Sequence, residues 1–149
     1  PTLLIKSDAK ITRKLSEYGK HDIIKGMREK TTVETFLSYF ENDASPLRVV
    51  KDDAVLSGTD TISSDSYVQL VINGEIVESV LLIVIGDVDC SGRLNTTDYI
   101  QMRRFFIDDN YTLSDSAYIS ADVEENGKLN ATDYVLLKAY FMGITDIYE

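Results

Sequence analysis

Tryptophan is absent from this chain of 149 residues, and cysteine and histidine occur once each, as Cys90 and His21. A single thiol excludes any disulfide within the chain and says little about compartment. One histidine and one cysteine supply no zinc ligand set and no nucleophile–base pair at a recognisable spacing, so the chain reads as non-catalytic. Basic residues are scarce. Fifteen Lys and Arg against 25 Asp and Glu leave a net charge of −10, the wrong sign for a nucleic-acid binder that must neutralise phosphates. No apolar run approaches the roughly 18–20 residues of a membrane span; the longest, Val80 to Ile85, is strand-sized. No signal peptide is present, but the chain opens at Pro1 rather than Met and reads as a fragment or processed form, so secretion stays open. What is present is a 44% share of hydrophobic residues, enough for a packed core, over a length that suits one ordinary domain or two small ones.

The pattern changes near Ile85–Gly86. Upstream, Thr31 and Glu34 read as a capping-box pair, and Val33, Phe36, Leu37 and Phe40 follow the helical stripe, predicting a helix over 31–42. Strands are expected at Leu3–Lys6, Asp22–Gly26, Leu47–Lys51, Tyr67–Ile72 and Glu75–Ile85. The last two are joined by Asn73-Gly74, a two-residue hairpin signal in which both residues tolerate positive φ. Residues 1–85 are therefore expected to be a small α+β domain of one sheet and one helix. Tyr18, Tyr39 and Tyr67 show no spacing that would build a planar sugar-binding strip.

Downstream, two stretches say nearly the same thing 35 residues apart, Asp87 to Tyr99 and Asp122 to Tyr134. Each carries oxygen side chains at the first, third, fifth, ninth and twelfth positions of a loop and glycine at the sixth, the ligand spacing of an EF-hand-type calcium loop. The first set is Asp87, Asp89, Ser91, the Arg93 carbonyl, Asn95 directly or through water, and Asp98. The second is Asp122, Glu124, Asn126, the Lys128 carbonyl, Asn130 and Asp133. Ser91 is a weak ligand, and Glu124 is one methylene longer than the usual Asp. Two Ca²⁺ ions are expected, with binding coupled to loop folding because the clustered carboxylates repel one another. Each loop runs into an amphipathic helix, about 96–107 and 132–142, and Ser114–Ser120 suggests a short helix between them. Phe106 and Phe141 are expected to face inward.

On these motifs, G-D-V-D-x-S-G-x-L-N-T-T-D-Y and A-D-V-E-E-N-G-K-L-N-A-T-D-Y, each followed by a helix, the segment Gly86–Asp146 resembles a dockerin. Aspartate at the twelfth position and a strand or short turn in place of the entering helix are departures from an ordinary EF-hand that this family shares. The missing entering helices also disfavour a calmodulin-like sensor. The resemblance implies an all-α dockerin over 86–149 with two loop–helix repeats, preceded by a domain placed like the X-modules that accompany some dockerins. It implies a calcium-dependent docking module that binds a cohesin and anchors its parent protein to an extracellular scaffoldin, as in cellulosomes of anaerobic bacteria. It also implies a secreted, cell-surface location through the scaffoldin, with a monomer expected when free. The family's partner contacts map onto Thr96, Thr97, Arg103 and Arg104 in one repeat and Ala131, Thr132, Lys138 and Ala139 in the other. The alternative is a calcium-stabilised structural module of a bacterial cell-surface protein with no cohesin partner.

Overall fold

Val80–Ile85, the end of one strand and the three residues after it, is apolar without interruption because it is covered on both sides. Alternate residues feed two different cores: Val80, Leu82 and Val84 enter one, and Leu81, Ile83 and Ile85 the other. A continuous apolar run of this kind marks a strand buried on both sides. The computed structural model describes residues 2–16, 21–43 and 45–148; Tyr18 lies outside them.

Among the described residues, six strands and four helices form. The strands are β1 (Thr12–Leu15), β2 (Asp22–Lys25), β3 (Leu47–Lys51), β4 (Ala54–Val55), β5 (Ser66–Ile72) and β6 (Glu75–Leu82). They make one sheet in the order β1-β2-β6-β5-β3-β4, with β2 and β6 parallel and the other neighbours antiparallel. The β5–β6 hairpin turns through Asn73 (φ 53°) and Gly74 (φ 79°), the left-handed pair that matches strand twist. On one face lies the first core, where Ile24, Val49, Val68, Leu70 and Leu82 meet Phe36 and Phe40.

The helix that supplies Phe36, α1 (Val33–Leu37), is much shorter than its apolar stripe predicts. Its N-cap is Thr32, whose side chain accepts from the Thr35 amide. Thr31 instead donates its hydroxyl to the Arg28 carbonyl, and the Glu34 amide goes to Gly58. The expected Leu3–Lys6 strand is a single bridge, Ile5 to Phe40.

The expectation of an α+β domain followed by an all-α dockerin is overturned: the chain is a mixed α/β structure with one six-stranded sheet and four helices. Helices α2 (Thr96–Ile107), α3 (Asp115–Ala121) and α4 (Ala131–Phe141) have no core of their own making. Met102, Ala117, Ile119 and Leu137 pack with Ile23, Leu81, Ile83 and Ile85 of the β2–β6 end of the sheet. Two short loop–helix repeats bury too little apolar surface alone, and the sheet supplies the remainder.

This shared core makes a prediction. Ile83→Ala, at a fully buried position, should cost about 2–5 kcal/mol in chemical denaturation, and the wild type should unfold in one transition by both far-UV dichroism and tyrosine fluorescence. Two separated transitions would contradict a common core.

Candidate metal and docking site

The twelfth residue of each loop is also the third residue of the helix that follows. Asn95 is the N-cap of α2 and accepts from the Thr97 amide (2.9 Å), while Asp98 accepts from the Asn95 amide (2.8 Å). Asn130 and Asp133 repeat this at α4, at 2.9 and 2.9 Å. These are reciprocal capping boxes, with Asn and Asp as the two members. The other oxygen of each aspartate reaches back across the loop: Asp98 accepts from the Asp89 amide and Asp133 from the Glu124 amide, each at 2.9 Å. One carboxylate thus ties loop entry, loop exit and helix start together. The capping role of Asn95 and Asn130 was readable in N-T-T-D and N-A-T-D but is hidden by the metal-ligand spacing they also satisfy.

The first residue of each loop is held from inside in the same way. Asp87 accepts from the amides of Ser91 (2.9 Å) and Gly92 (3.0 Å), and Asp122 from those of Asn126 (3.3 Å) and Gly127 (2.7 Å). The sixth-position Gly92 has φ 85° and lies so close to the sheet half that an added Cβ would stand 2.7 Å from the Ile62 carbonyl oxygen. It is required both by conformation and by space.

The two loops differ in how far the carboxylates close up. Among the described residues, Asp87, Asp89 and Asp98 bring one oxygen each within 4.8 Å of one another. Glu124, the longer counterpart of Asp89, is exposed, and the second loop's acidic side chains do not gather as tightly. The first loop is entered from the end of β6, whereas the second follows α3 directly, so only the first departs from a helix-entered loop.

Burial raises the carboxyl of Asp98 to about 8 and that of Asp87 to about 6, against the amides that bond to each. Asp122 and Asp133 are also raised, by burial first. Asp89 is held low: partial burial opposes this, but hydrogen bonds from Ser91, Asp98 and Asp87 outweigh it. Hard oxygen donors crowded at this spacing, several of them disfavouring their own charge, suit a divalent oxygen-seeking cation such as calcium. Such an ion supplies the positive charge that lets all three ionise together. Zinc has no nitrogen or sulfur donor here; Cys90 is half-buried and its thiol is pushed up to about 12 by burial and nearby carboxylates, away from the reactive range.

The helices present the other expected residues outward. Thr96, Thr97, Arg103, Arg104, Ala131, Thr132 and Lys138 are exposed and Ala139 half-buried. Tyr99 and Tyr134 stack at 4.8 Å, and each meets the other repeat's phenylalanine edge-on, Tyr99 with Phe141 and Tyr134 with Phe106. The aromatics therefore knit the repeats near the surface, with Phe106 and Phe141 37% and 38% exposed, while Met102 and Leu137 take the inward positions. This corrects the inward placement expected for the phenylalanines. Arg103 and Ala131, from different repeats, line one groove of about 250 Å³ with Phe106, Ile107 and Tyr134. Two exposed apolar residues at matching places, Ile100 (58%) and Val135 (57%), were not anticipated; their offset of one turn from the threonines was the available signal. Arg104 stacks on Tyr111 at 4.4 Å and pairs with Asp108 at 3.6 Å, whereas Ala139 makes no such contact.

Residues 85–142 match the family model of the type I dockerin domain. This part of the chain is a dockerin. The match spans about two fifths of the chain and leaves the sheet-forming half outside it. Neither the curated proteins nor the solved structures searched contain a match to the chain. Dockerins are non-catalytic docking domains that bind cohesins, generally bind calcium, and typically belong to extracellular proteins attached to scaffoldins. No helix among the described residues is long and apolar enough to cross a membrane.

The raised carboxyls give the calcium-free protein a defined pH response. A group whose pKa is higher in the folded than in the unfolded state binds more protons when folded, so stability falls as pH rises between the two values. For Asp98 and Asp87 that window runs from the ordinary 3.8 to about 8 and about 6 respectively; the depressed Asp89 acts with the opposite sign but below 3.8. Calcium-stripped protein should therefore melt at a higher temperature at pH 5.5 than at pH 8 in calorimetry, and saturating calcium should reverse the order because the ion competes with protons. The same pH trend with and without calcium would contradict this.

Proposed function

We propose that the chain is a calcium-dependent docking module whose α2–α4 face binds a cohesin and so anchors the parent protein to an extracellular scaffoldin. The observation that carries this is the repetition of one loop-and-cap network at an offset of 35 residues, which sets Thr97 and Thr132 at equivalent exposed positions. In this reading two ions are held, one by Asp87, Asp89, Ser91, the Arg93 carbonyl, Asn95 and Asp98. The other is held by Asp122, Glu124, Asn126, the Lys128 carbonyl, Asn130 and Asp133. Asn95 and Asn130, whose side-chain oxygens cap the helices, act through water. Residues 1–85 and 86–149 are kept as the two structural units, though they share a core.

The partner surface consists of Thr96, Thr97, Arg103 and Arg104 with Ala131, Thr132, Lys138 and Ala139, and Ile100 and Val135 add apolar area at its centre. Small hydroxyls and exposed aliphatics flanked by cations suit a flat interface with a polar rim. The near-symmetry supports two binding orientations related by a half-turn. The engagement of Arg104 by Asp108 and Tyr111, without counterpart at Ala139, favours one of them.

In a calorimetric screen against cohesins of the source organism, a one-to-one complex is expected that disappears with a chelator. Thr97→Ala or Thr132→Ala alone should change affinity little if both orientations are used, and the double substitution should weaken it about tenfold, or about 1.4 kcal/mol. A calcium-dependent rise in melting temperature with no cohesin bound by any member of the panel would instead support a purely structural module.

A further inference from the structure

The sheet half grips both loops at their fourth position, and it grips the first loop at several other points as well. Cys90 and Glu125 occupy equivalent places, and both are in the left-handed region at φ 58°. Lys51 of β3 donates to the Cys90 carbonyl and to the Ser63 hydroxyl, the latter at 2.6 Å. Lys25 of β2 pairs with the Glu125 carboxylate and is itself largely buried. Beyond this common grip the loops part company. The Ser64 amide donates to Asp87 Oδ2 at 2.8 Å, the same oxygen that accepts from Gly92. The Lys30 amide donates to the Gly92 carbonyl at 2.9 Å. The Leu94 amide donates to Glu29 Oε1 at 3.0 Å, whereas its counterpart, the Leu129 amide, donates to Tyr118 from its own half at 3.1 Å.

We propose that the sheet half is a positioning frame for the first calcium loop, with Lys51, Ser64 and Glu29 as positioning residues, so that the first site binds calcium more tightly and calcium in turn orders this end of the sheet. The proposal rests on the reading that both loops bind calcium. A loop already held in its bound shape has less conformational freedom to lose when an ion enters. The second loop, whose Leu129 amide is met by Tyr118 of its own half rather than by the sheet half, has more ordering left to do at binding. Partners that orient metal ligands from outside the ligand set commonly affect affinity by 10–100-fold.

Lys51 allows a test with opposite signs. An ammonium beside a cation site repels the cation, so a purely electrostatic role predicts tighter binding when the charge is removed. A positioning role predicts weaker binding. Calcium chloride titrated into the full chain by calorimetry should show two steps. Lys51→Met should weaken the tighter one about tenfold and leave the other, and Lys25→Met should affect only the weaker. In wild-type protein, calcium should slow hydrogen exchange at the Ser64 and Lys30 amides, a readout that needs no variant and decides the matter if Lys51→Met does not fold. Unchanged or increased affinity in Lys51→Met, or exchange at those two amides indifferent to calcium, overturns the proposal while leaving calcium binding intact. No calcium bound by the wild type overturns the underlying reading and this inference with it.

Discussion

The loops and helices of the dockerin half depend on one kind of interaction: a buried carboxylate that accepts backbone amides on both sides. Asp98 and Asp133 each bond to the N-cap amide of the following helix and to the third-position amide of their own loop. Both are fully buried. Burying such a group is favourable only when its oxygens are satisfied, and here they are satisfied by the same amides that fix where the helix begins. In the first loop, two more carboxylates lie within 4.8 Å. At that spacing each pair of charges repels by about 4 kcal/mol at an effective dielectric near 20. Burial first, and then the neighbouring Asp89 charge, raises the Asp98 carboxyl, and a divalent cation has a defined place among the three groups.

The sheet is the second element of the design. By sending alternate side chains of Val80–Ile85 into two cores, one strand couples a small α/β unit to a pair of helices that could not bury their apolar faces alone. The covered area is confined to the β2–β6 end; further out, Tyr67 on β5 and Val77 on β6 are exposed. Tyr148 closes the same junction from the other terminus, donating its hydroxyl to the Ile85 carbonyl at 2.7 Å. Arg28, over the ring of Tyr148 at 5.1 Å, also pairs with Asp146 at 2.8 Å.

The loops, the Asn73-Gly74 hairpin and all three helices after residue 95 were legible in the sequence, because each is written by local chemistry: ligand spacing, positive-φ residues, and a helical period following a cap. Two things were not. Helix α1 stops at Leu37 although the apolar stripe runs to Phe40, because Phe40 bridges to Ile5, the Lys6 amide donates to the Tyr39 carbonyl and the Glu41 amide donates to the Leu4 carbonyl. The dockerin half was expected to be an all-α unit because its own pattern is helical throughout. The sign that it is not lay outside it, in the unbroken apolar run of Val80–Ile85. In the same way, β1 was missed because all four of its residues are exposed and carry no periodic apolar signal, and the sheet's hold on Asp87 and Cys90 runs through the Ser64 amide and the Cys90 carbonyl, backbone groups that no side-chain motif records.

The claim that one carboxylate both caps each helix and holds an ion is tested most directly by a crystal structure grown with calcium. The account predicts two ions, one ligated by Asp98 and one by Asp133, with the bonds from the Asn95 and Asn130 amides to those carboxylates still in place. A loop without an ion, or an aspartate swung away from its helix cap to reach one, would contradict it.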